Sequence, residues 1–247
     1  MVLRISVMSI LEIAVFNYQS ALLAERAGAD RLELCENPAD GGTTPSTGTL
    51  RQVKDTLWLP VFPIIRPRGG DFFYTEEEFQ IMKWDVMMCK GMEFEGVVFG
   101  MLLRNGKIDK ENCKRFVDFA YPLKVTFHRA FDRARDPFEA LEDLIECGCS
   151  RILTSGQVPN ALDGASLIKQ LIEKADGRII VMPGSGLRSS NIAEVAKITR
   201  AVEFHSSARI TTPSLMEYVN QNMGESNQTV SVDVDEIRRT KEIIAKL

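Results

Sequence analysis

Short apolar runs alternate with longer amphipathic segments along most of the chain. The apolar runs are nearly continuous, which is typical of parallel strands covered by helices. The pattern predicts eight strands, at Leu11–Val15, Arg31–Cys35, Val61–Arg66, Gly96–Phe99, Lys124–His128, Arg151–Thr154, Ile179–Met182 and Val202–His205.

The segments between these strands carry signals for helix starts. Thr75 with Glu78 predicts a capping box, in which each side chain accepts a hydrogen bond from the other residue's backbone N–H. Asp136–Pro137 predicts an N-cap followed by a proline in the first turn of the next helix. A serine, either Ser189 or Ser190, is the predicted N-cap of the helix in NIAEVAKI.

Eight strands alternating with helices predict the α/β class and a single (β/α)8 TIM barrel with a short C-terminal extension. The rival architecture, a doubly wound open sheet, usually carries a GxGxxG turn after its first strand. Here FNYQSA follows the first strand and contains no glycine. We expect residues 1–10 to form an N-terminal extension, residues 11–209 the barrel, and residues 210–247 a C-terminal extension whose terminal helix packs on the barrel.

Composition and charge narrow the classes of partner. The 247 residues suffice for one such barrel, and they are 45% apolar and 26% charged, as in ordinary globular proteins. Lys and Arg number 30 against 34 Asp and Glu, and no basic stripe stands out. We therefore expect neither a nucleic acid nor a membrane surface as a partner.

The cysteines and the N-terminal segment predict a cytoplasmic protein. Five cysteines, an odd number without regular spacing, indicate a reducing compartment rather than a disulfide framework. The N-terminal apolar run is interrupted by Ser6, Ser9 and Glu12 and is followed by no small-residue cleavage site, so it is not predicted to be a signal peptide. No stretch approaches the ~20 apolar residues of a membrane span.

Polar residues recur on one face of five predicted strands. Residues two apart share a face of a strand, and the pairs in question are Glu12 and Ala14, Glu33 and Cys35, Arg66 and Arg68, Thr126 and His128, and Glu203 and His205. Because a polar group inside a barrel is costly unless it is paired, packing alone does not explain this pattern. We expect a functional site at the C-terminal ends of the strands.

Both histidines of the chain, His128 and His205, lie at predicted C-terminal ends of strands. Together with carboxylates and a guanidinium on the same face, they predict a site for acid–base catalysis, with His128 or Glu33 as the general base. The alternative is that the arginines and carboxylates form a structural ion-pair network across the barrel. The candidate catalytic residues are Glu12, Glu33, Arg66, His128, Asp132, Glu203 and His205.

The loops after the third, seventh and eighth strands predict an anion site. In many barrels the loops after strands seven and eight hold a phosphate through backbone N–H groups at a helix N-terminus. Here those loops contain a Gly-Ser-Gly turn and a pair of serines, although such a turn also occurs without a ligand. The candidate anion-binding residues are Arg68, Gly184, Ser185, Gly186, Ser206 and Ser207.

Seven strings of the sequence occur in order between Leu11 and Arg209, namely DRLELC, DGGTTPS, PIIRPRGGDF, VTFHRAFD, RILTSG, MPGSG and EFHSSA. On these strings the chain resembles the CutC family of copper homeostasis proteins. The resemblance implies a TIM barrel, a cytosolic location, a role in copper handling with copper-ion binding, and a homo-oligomer, either a dimer or a tetramer.

The copper binding that the resemblance implies depends on cysteines near the first two strands. Cys35 matches the second of these cysteines, whereas Ala14 occupies the position of the first. Soft Cu(I) favours at least two sulfur ligands, so we expect Cys35 to bind it weakly. Two hypotheses remain open: a copper-binding protein that uses Cys35 with His205 or His128, and an enzyme that acts by acid–base chemistry on a small anionic or phosphorylated metabolite.

Overall fold

Eight parallel strands form the centre of the molecule in the computed structural model, which describes residues 9–220, 222–224 and 226–247. The hydrogen-bonded orders are β3-β2-β1-β8 and β4-β5-β6-β7, and backbone bridges at Ile64–Val98 and Gly184–His205 join the two halves. The strands therefore close a (β/α)8 barrel, which confirms the predicted fold class. They are β1 (Ile10–Val15), β2 (Arg31–Leu34), β3 (Val61–Pro63), β4 (Gly96–Phe99), β5 (Lys124–Phe127), β6 (Arg151–Thr154), β7 (Ile180–Pro183) and β8 (Glu203–Ser206).

Helices connect consecutive strands over the outside of the barrel. Thr75 and Glu78 form the predicted capping box of α3, and Asp136 caps α5 ahead of the proline in its first turn. The connecting helices are α1 (Tyr18–Arg26), α2 (Thr47–Thr56), α3 (Glu76–Gly91), α4 (Lys110–Ala120), α5 (Pro137–Glu146), α6 (Ala165–Ala175) and α7 (Ile192–Thr199).

The predicted start of α7 is wrong. The helix begins at Ile192 with Asn191 in the N-cap position, and neither Ser189 nor Ser190 caps it. The reason is a contact from far along the chain, because the backbone N–H and the hydroxyl of Ser189 both bind the Glu236 carboxylate, at 2.6 and 2.8 Å.

Two boundaries near the beginning of the chain also differ from expectation. Strand β3 ends at Pro63 rather than at Arg66, whose backbone N–H donates to the Thr44 hydroxyl (2.9 Å) instead of to a neighbouring strand. Of the predicted N-terminal extension at residues 1–10, residues 1–8 lie outside the described residues, and Ile10 already belongs to β1.

The chain after β8 forms an antiparallel hairpin and a last helix. The hairpin consists of β9 (Arg209–Thr212) and β10 (Thr229–Val232), and the helix is α8 (Val234–Ile244). Ile237 and Ile244 of α8 are buried in the apolar layer outside the barrel. Within the described ranges, no helix has the length and apolar character needed to cross a membrane.

Apolar side chains form two separate cores, because side chains alternate across the wall of a barrel. The larger core lies between the barrel and the helices, and the fully buried strand residues Ile13, Leu34 and Phe204 belong to it. Polar residues fill much of the remaining interior, as the alternation predicts. The smaller core lies inside the barrel and consists of Cys35, Phe62, Ile64 and Val98.

Candidate functional site

A cavity of about 610 Å³ opens at the C-terminal ends of the strands. This is the end of a TIM barrel at which the βα loops form functional sites. Nine of the residues predicted for the site line the cavity, namely Glu33, Arg66, His128, Asp132, Ser185, Gly186, His205, Ser206 and Ser207.

Beneath the cavity, buried ion pairs cross the barrel interior. Arg31 of β2 donates to Glu12 of β1 and, at 2.5 Å, to Glu203 of β8. The Nε of Arg151 in β6 donates to Glu203 at 2.9 Å. Both guanidinium groups pack against the Phe62 ring, 5.2 and 5.4 Å from its centroid. Each charge in this layer is paired, which is the condition under which burial is tolerated.

Glu203 belongs to this layer and does not line the cavity, so the structural ion-pair network describes it better than the predicted catalytic role. Its partners, Arg31 and Arg151, were missed in the sequence analysis. The alternation of side chains along the strand could have identified Arg31, because it lies two residues before Glu33 and therefore shares its face of β2.

His205 lies between two carboxylates that belong to different strands. The pairing of β1 with β8 places Glu12 opposite His205, and Nδ1 of the imidazole is 2.8 Å from Glu12 Oε1. The other ring nitrogen, Nε2, faces Glu33 Oε2 at 3.7 Å. His205 and Glu33 line the cavity, whereas Glu12 does not. The three groups therefore run from the barrel interior to the cavity.

Burial and neighbouring charges separate the pKa values of these groups. Burial would raise the pKa of Glu12, but Arg31 and His205 lower it to about 2. Burial raises the pKa of Glu33 to about 7, although the charge of His205 opposes this. Burial disfavours charge on His205, but the hydrogen bond to Glu12 and the two carboxylate charges raise its pKa above the usual value. Glu33 is therefore poised to exchange a proton near neutral pH.

His128 is arranged as a hydrogen-bond donor rather than as a base. Its Nδ1 accepts the Ala130 N–H at 3.0 Å, so the neutral ring carries its proton on Nε2. Burial, together with the charge of Arg66, lowers the pKa of His128 to about 3. The ring packs so closely on Gly100 that a Cβ there would lie 2.4 Å from Cε1. Of the two predicted general bases, Glu33 has the arrangement that suits the role.

Arg66 is a buried cation that pairs with no carboxylate of the described residues. Its Nη1 donates to the carbonyls of Asp40 and Gly42, at 2.6 and 2.8 Å, and its Nη2 donates to the Gly70 carbonyl at 2.9 Å. Backbone carbonyls of two loops therefore fix the side chain, while Nε has no hydrogen-bond partner in the described parts of the chain. A guanidinium that is buried without a counter-charge favours an anionic or carbonyl acceptor in the cavity.

The Asp132 carboxylate accepts several hydrogen bonds from neighbouring loops. These contacts join the loop after β6 to the turn after β5, so Asp132 organises the cavity wall. Its donors are Arg129 Nε (2.8 Å), Thr154 Oγ1 (2.5 Å), the Ser155 N–H and hydroxyl (3.0 and 2.9 Å) and the Gln157 N–H (3.2 Å).

Arg68 does not line the cavity, in contrast to its predicted place in the anion site. Its Nε donates to Glu78 at 2.5 Å, its Nη2 donates to the Phe73 carbonyl at 2.7 Å, and its guanidinium packs on the Tyr74 ring. These contacts fasten the loop after β3 to the start of α3. Arg68 is therefore a structural residue of that loop.

Gly184 is a packing position and does not line the cavity either. Its N–H donates to the Thr154 carbonyl at 2.9 Å and is therefore not available to bind an anion. A Cβ at this position would lie 2.5 Å from Leu153 Cδ1 and 3.0 Å from His205 Cβ. The glycine therefore allows close packing of β7 and β8 rather than the approach of a ligand.

The other predicted anion-site residues line the cavity beside arginines that the sequence analysis missed. Ser185 and Gly186 have positive φ angles of 83° and 70°. The hydroxyl of Ser206 donates to a backbone carbonyl, whereas Ser207 is half-buried in the cavity wall. Each missed arginine lies within two residues of a predicted site residue, and none pairs with a carboxylate of the described chain. They are Arg133, Arg188 and Arg209.

The side chains around Cys35 do not suit Cu(I). Burial and the charges of Glu33 and Glu12 raise the pKa of the Cys35 thiol far above its usual value. Both nitrogens of His205 face carboxylates, and Ala14 offers only a methyl group to the cavity. In the part of the chain that the structure describes, no three His, Cys, Asp or Glu side chains are grouped to hold a metal ion. The residues present therefore do not fit a copper site.

Sequence comparison relates the chain to proteins of one family. The model of the CutC family matches residues 9–210. A family protein CutC of Parabacteroides distasonis is 49% identical over 234 residues, which cover 94% of this chain and 96% of that protein. The copper homeostasis protein cutC homolog of Homo sapiens is 49% identical over 214 residues, 87% of this chain and 78% of the human protein.

Structural comparison agrees with this relationship. The crystal structure of a CutC protein from Streptococcus agalactiae has a TM-score of 0.78 at 31% identity, and the match covers 81% of this chain and 99% of that one. Phosphoribosyl anthranilate isomerase from Thermotoga maritima has a TM-score of 0.60 at 16% identity, with 97% and 100% covered, and shares the fold alone. The chain therefore belongs to the CutC family.

Proposed function

We propose that this chain is an enzyme that performs acid–base chemistry on a small phosphorylated metabolite at the mouth of the barrel. The observation that carries the proposal is the position of Glu33. Its carboxyl group, with a pKa raised to about 7, lines a cavity in which four of the five arginines have no carboxylate partner among the described residues. A carboxyl group tuned to neutral pH in such a cavity is the arrangement that general acid–base catalysis requires.

In this proposal Glu33 accepts a proton from the bound molecule. His205, whose Nε2 faces Glu33, stabilises the carboxylate form. Glu12 binds the other ring nitrogen of His205 and so fixes the orientation of the imidazole. Glu12 is therefore a positioning residue, because it reaches the cavity only through His205.

The loops after β7 and β8 are the proposed phosphate site. Ser185 and Gly186 line the cavity on the loop after β7, where their backbone N–H groups are donors of the kind that bind phosphate oxygens. Arg188 and Arg209 add positive charge at the same rim, and their guanidinium groups are free of carboxylates within the described residues. Arginine suits this role because its planar fork matches phosphate oxygens.

Thermal unfolding in phosphate tests this proposal. At concentrations well above the dissociation constant, ligand binding stabilises the folded state by about 2 kcal/mol, which corresponds to a rise in Tm of roughly 4–8 °C. We expect this rise in phosphate relative to chloride at equal ionic strength. The double variant Arg188→Gln/Arg209→Gln should lose it, whereas Arg26→Gln, an exposed arginine on α1, should keep it. Equal Tm values in the two salts would refute the phosphate site.

Copper handling is a second candidate function. Mammalian relatives are named copper homeostasis proteins, and in this chain the Cys35 thiol is a neighbour of the cavity residue Glu33. Because a second sulfur ligand is missing at Ala14, we propose that binding of Cu(I) at Cys35 is weak.

We also propose a cytoplasmic location and a homo-oligomer, either a dimer or a tetramer. All five cysteines are free and buried, which suits a reducing compartment. The oligomer is an expectation from the family resemblance, and gel filtration with light scattering would measure the mass of the assembly.

A further inference from the structure

Two buried nitrogen atoms in the wall of the cavity have no hydrogen-bond partner among the described residues. They are Arg66 Nε and His128 Nε2. The two residues are only 4% and 5% exposed, and both line the same cavity as Glu33. A buried donor without an acceptor has lost its hydrogen bonds to water and forms none in the protein, which costs free energy of folding. Such atoms are rare in folded proteins and often mark a binding site.

Local contacts fix both nitrogens as donors. Nδ1 of His128 accepts the Ala130 N–H, which leaves the ring proton on Nε2. Guanidinium nitrogens cannot accept, and both terminal nitrogens of Arg66 already donate to backbone carbonyls. Neither atom can therefore satisfy the other. Both N–H groups therefore need an acceptor that comes from outside these two side chains.

The Phe72 ring packs against both side chains. Its centroid lies 5.0 Å from Arg66 Cζ and 4.9 Å from the centroid of the His128 ring. Phe72 itself is half-buried and lines the cavity. The two side chains therefore pack against one shared ring in the cavity wall.

We propose that Arg66 Nε and His128 Nε2 form a subsite for a carbonyl oxygen, and that the natural ligand is a small phosphate ester that also carries a carbonyl group. This inference rests on the proposed function, which places the phosphate at the rim arginines and the base at Glu33. A carbonyl oxygen suits the subsite because it only accepts hydrogen bonds and has two lone pairs, one for each of the two donors.

The subsite gives the bound carbonyl a chemical role. When Glu33 takes the proton from the carbon next to the carbonyl, the electron pair of the C–H bond forms a C=C bond. The carbonyl π electrons move to the oxygen, which becomes an enolate oxygen. Donors that are already oriented towards this atom stabilise the new charge without reorganising, and a neutral imidazole can serve as such a donor.

Isothermal titration calorimetry with two matched probes tests the subsite. Hydroxyacetone phosphate and propyl phosphate have similar size and the same charge, and they differ by the carbonyl oxygen. We expect the wild-type protein to bind hydroxyacetone phosphate about tenfold more tightly. His128→Asn keeps an acceptor for the Ala130 N–H but removes Nε2, and should bring the two affinities together without changing that for propyl phosphate. Arg66→Lys, which keeps the charge but loses Nε, should do the same and serves if His128→Asn does not fold.

The outcomes separate this inference from the proposed function. Equal affinity of the wild-type protein for both probes would refute the carbonyl subsite and leave the phosphate site intact. A tenfold preference that survives both substitutions would also refute it. If neither probe binds, the proposed function fails and the carbonyl subsite fails with it.

Discussion

A single side chain, Glu33, is expected to change the stability of the protein with pH. Glutamate in the unfolded chain titrates near 4.5, whereas burial raises the pKa of Glu33 in the folded protein to about 7. Between these values the folded state holds a proton that the unfolded state has lost, so stability falls as pH rises. The slope for one such group is at most about 1.4 kcal/mol per pH unit. Denaturant unfolding between pH 4.5 and pH 7 should show this slope, and Glu33→Gln should remove it.

Glu242→Gln is the matched control, because it makes the same change of side chain at an exposed position on α8, and it should keep the slope of the wild-type protein. His205 adds a slope of the same sign at higher pH, since its raised pKa means that stability is lost as pH rises through that value. The informative range therefore lies below pH 6.5. An undiminished slope there in Glu33→Gln would contradict the assignment.

The site residues that could be predicted from the sequence are those whose position follows from the alternation of side chains along a strand. Glu33 and His205 lie on the interior face of their strands, and parity in the sequence reveals this face directly. Partners are harder to predict, because they come from distant strands. Arg31 takes Glu203 as a partner 172 residues away, which removes Glu203 from the cavity. Arg68 donates to acceptors in its own loop and at the start of α3, so its guanidinium group does not reach the cavity.

At the level of elements, the contact between β7 and β8 depends on Gly184. A Cβ there would lie 3.0 Å from His205 Cβ of β8 and 2.5 Å from Leu153 Cδ1 of β6, which overpacks the barrel interior and costs about 1–3 kcal/mol. Gly184→Ala should therefore lower the free energy of unfolding by this amount and shift His205, which a histidine NMR titration would detect. Gly91→Ala is the control, since apart from its own helix no atom of the described residues lies within 4 Å of a Cβ at that position. Equal stability of the two variants would show that β7 and β8 can move apart.

Element boundaries could be predicted where local chemistry determines them. The capping box at Thr75 needs only residues within one helical turn, so the sequence contains all the information. The start of α7 depends on Glu236, which binds Ser189 from a helix 47 residues away. The end of β3 likewise depends on Thr44, a residue of an earlier loop. Short-range signals cannot show such contacts.

At the scale of the whole molecule, charge is balanced inside the barrel and unbalanced at its mouth. The buried layer sets Arg31 and Arg151 against Glu12 and Glu203, so each charge there has a partner. The cavity above it carries several arginines without carboxylate partners within the described chain, although the protein as a whole has a net charge of −4. A local positive field in a cleft raises the concentration of small anions there. The distribution of charge thus favours an anionic ligand over a metal cation.

The five thiols of the molecule predict weak binding of copper. All five are buried, and burial is the main cause that raises the pKa of each, so none is ready to bind Cu(I) as a thiolate. Competition titration against a Cu(I) chelator should therefore detect no tight stoichiometric site, and Cys35→Ser should not alter the result. Ala14→Cys is the matched gain-of-function variant, because Ala14 pairs with Glu33 on the neighbouring strand, and Cys35 lies two residues after Glu33 on the same face. We expect Ala14→Cys to raise the affinity for Cu(I) at least tenfold. Tight one-to-one binding by the wild-type protein that Cys35→Ser abolishes would show instead that one thiol suffices.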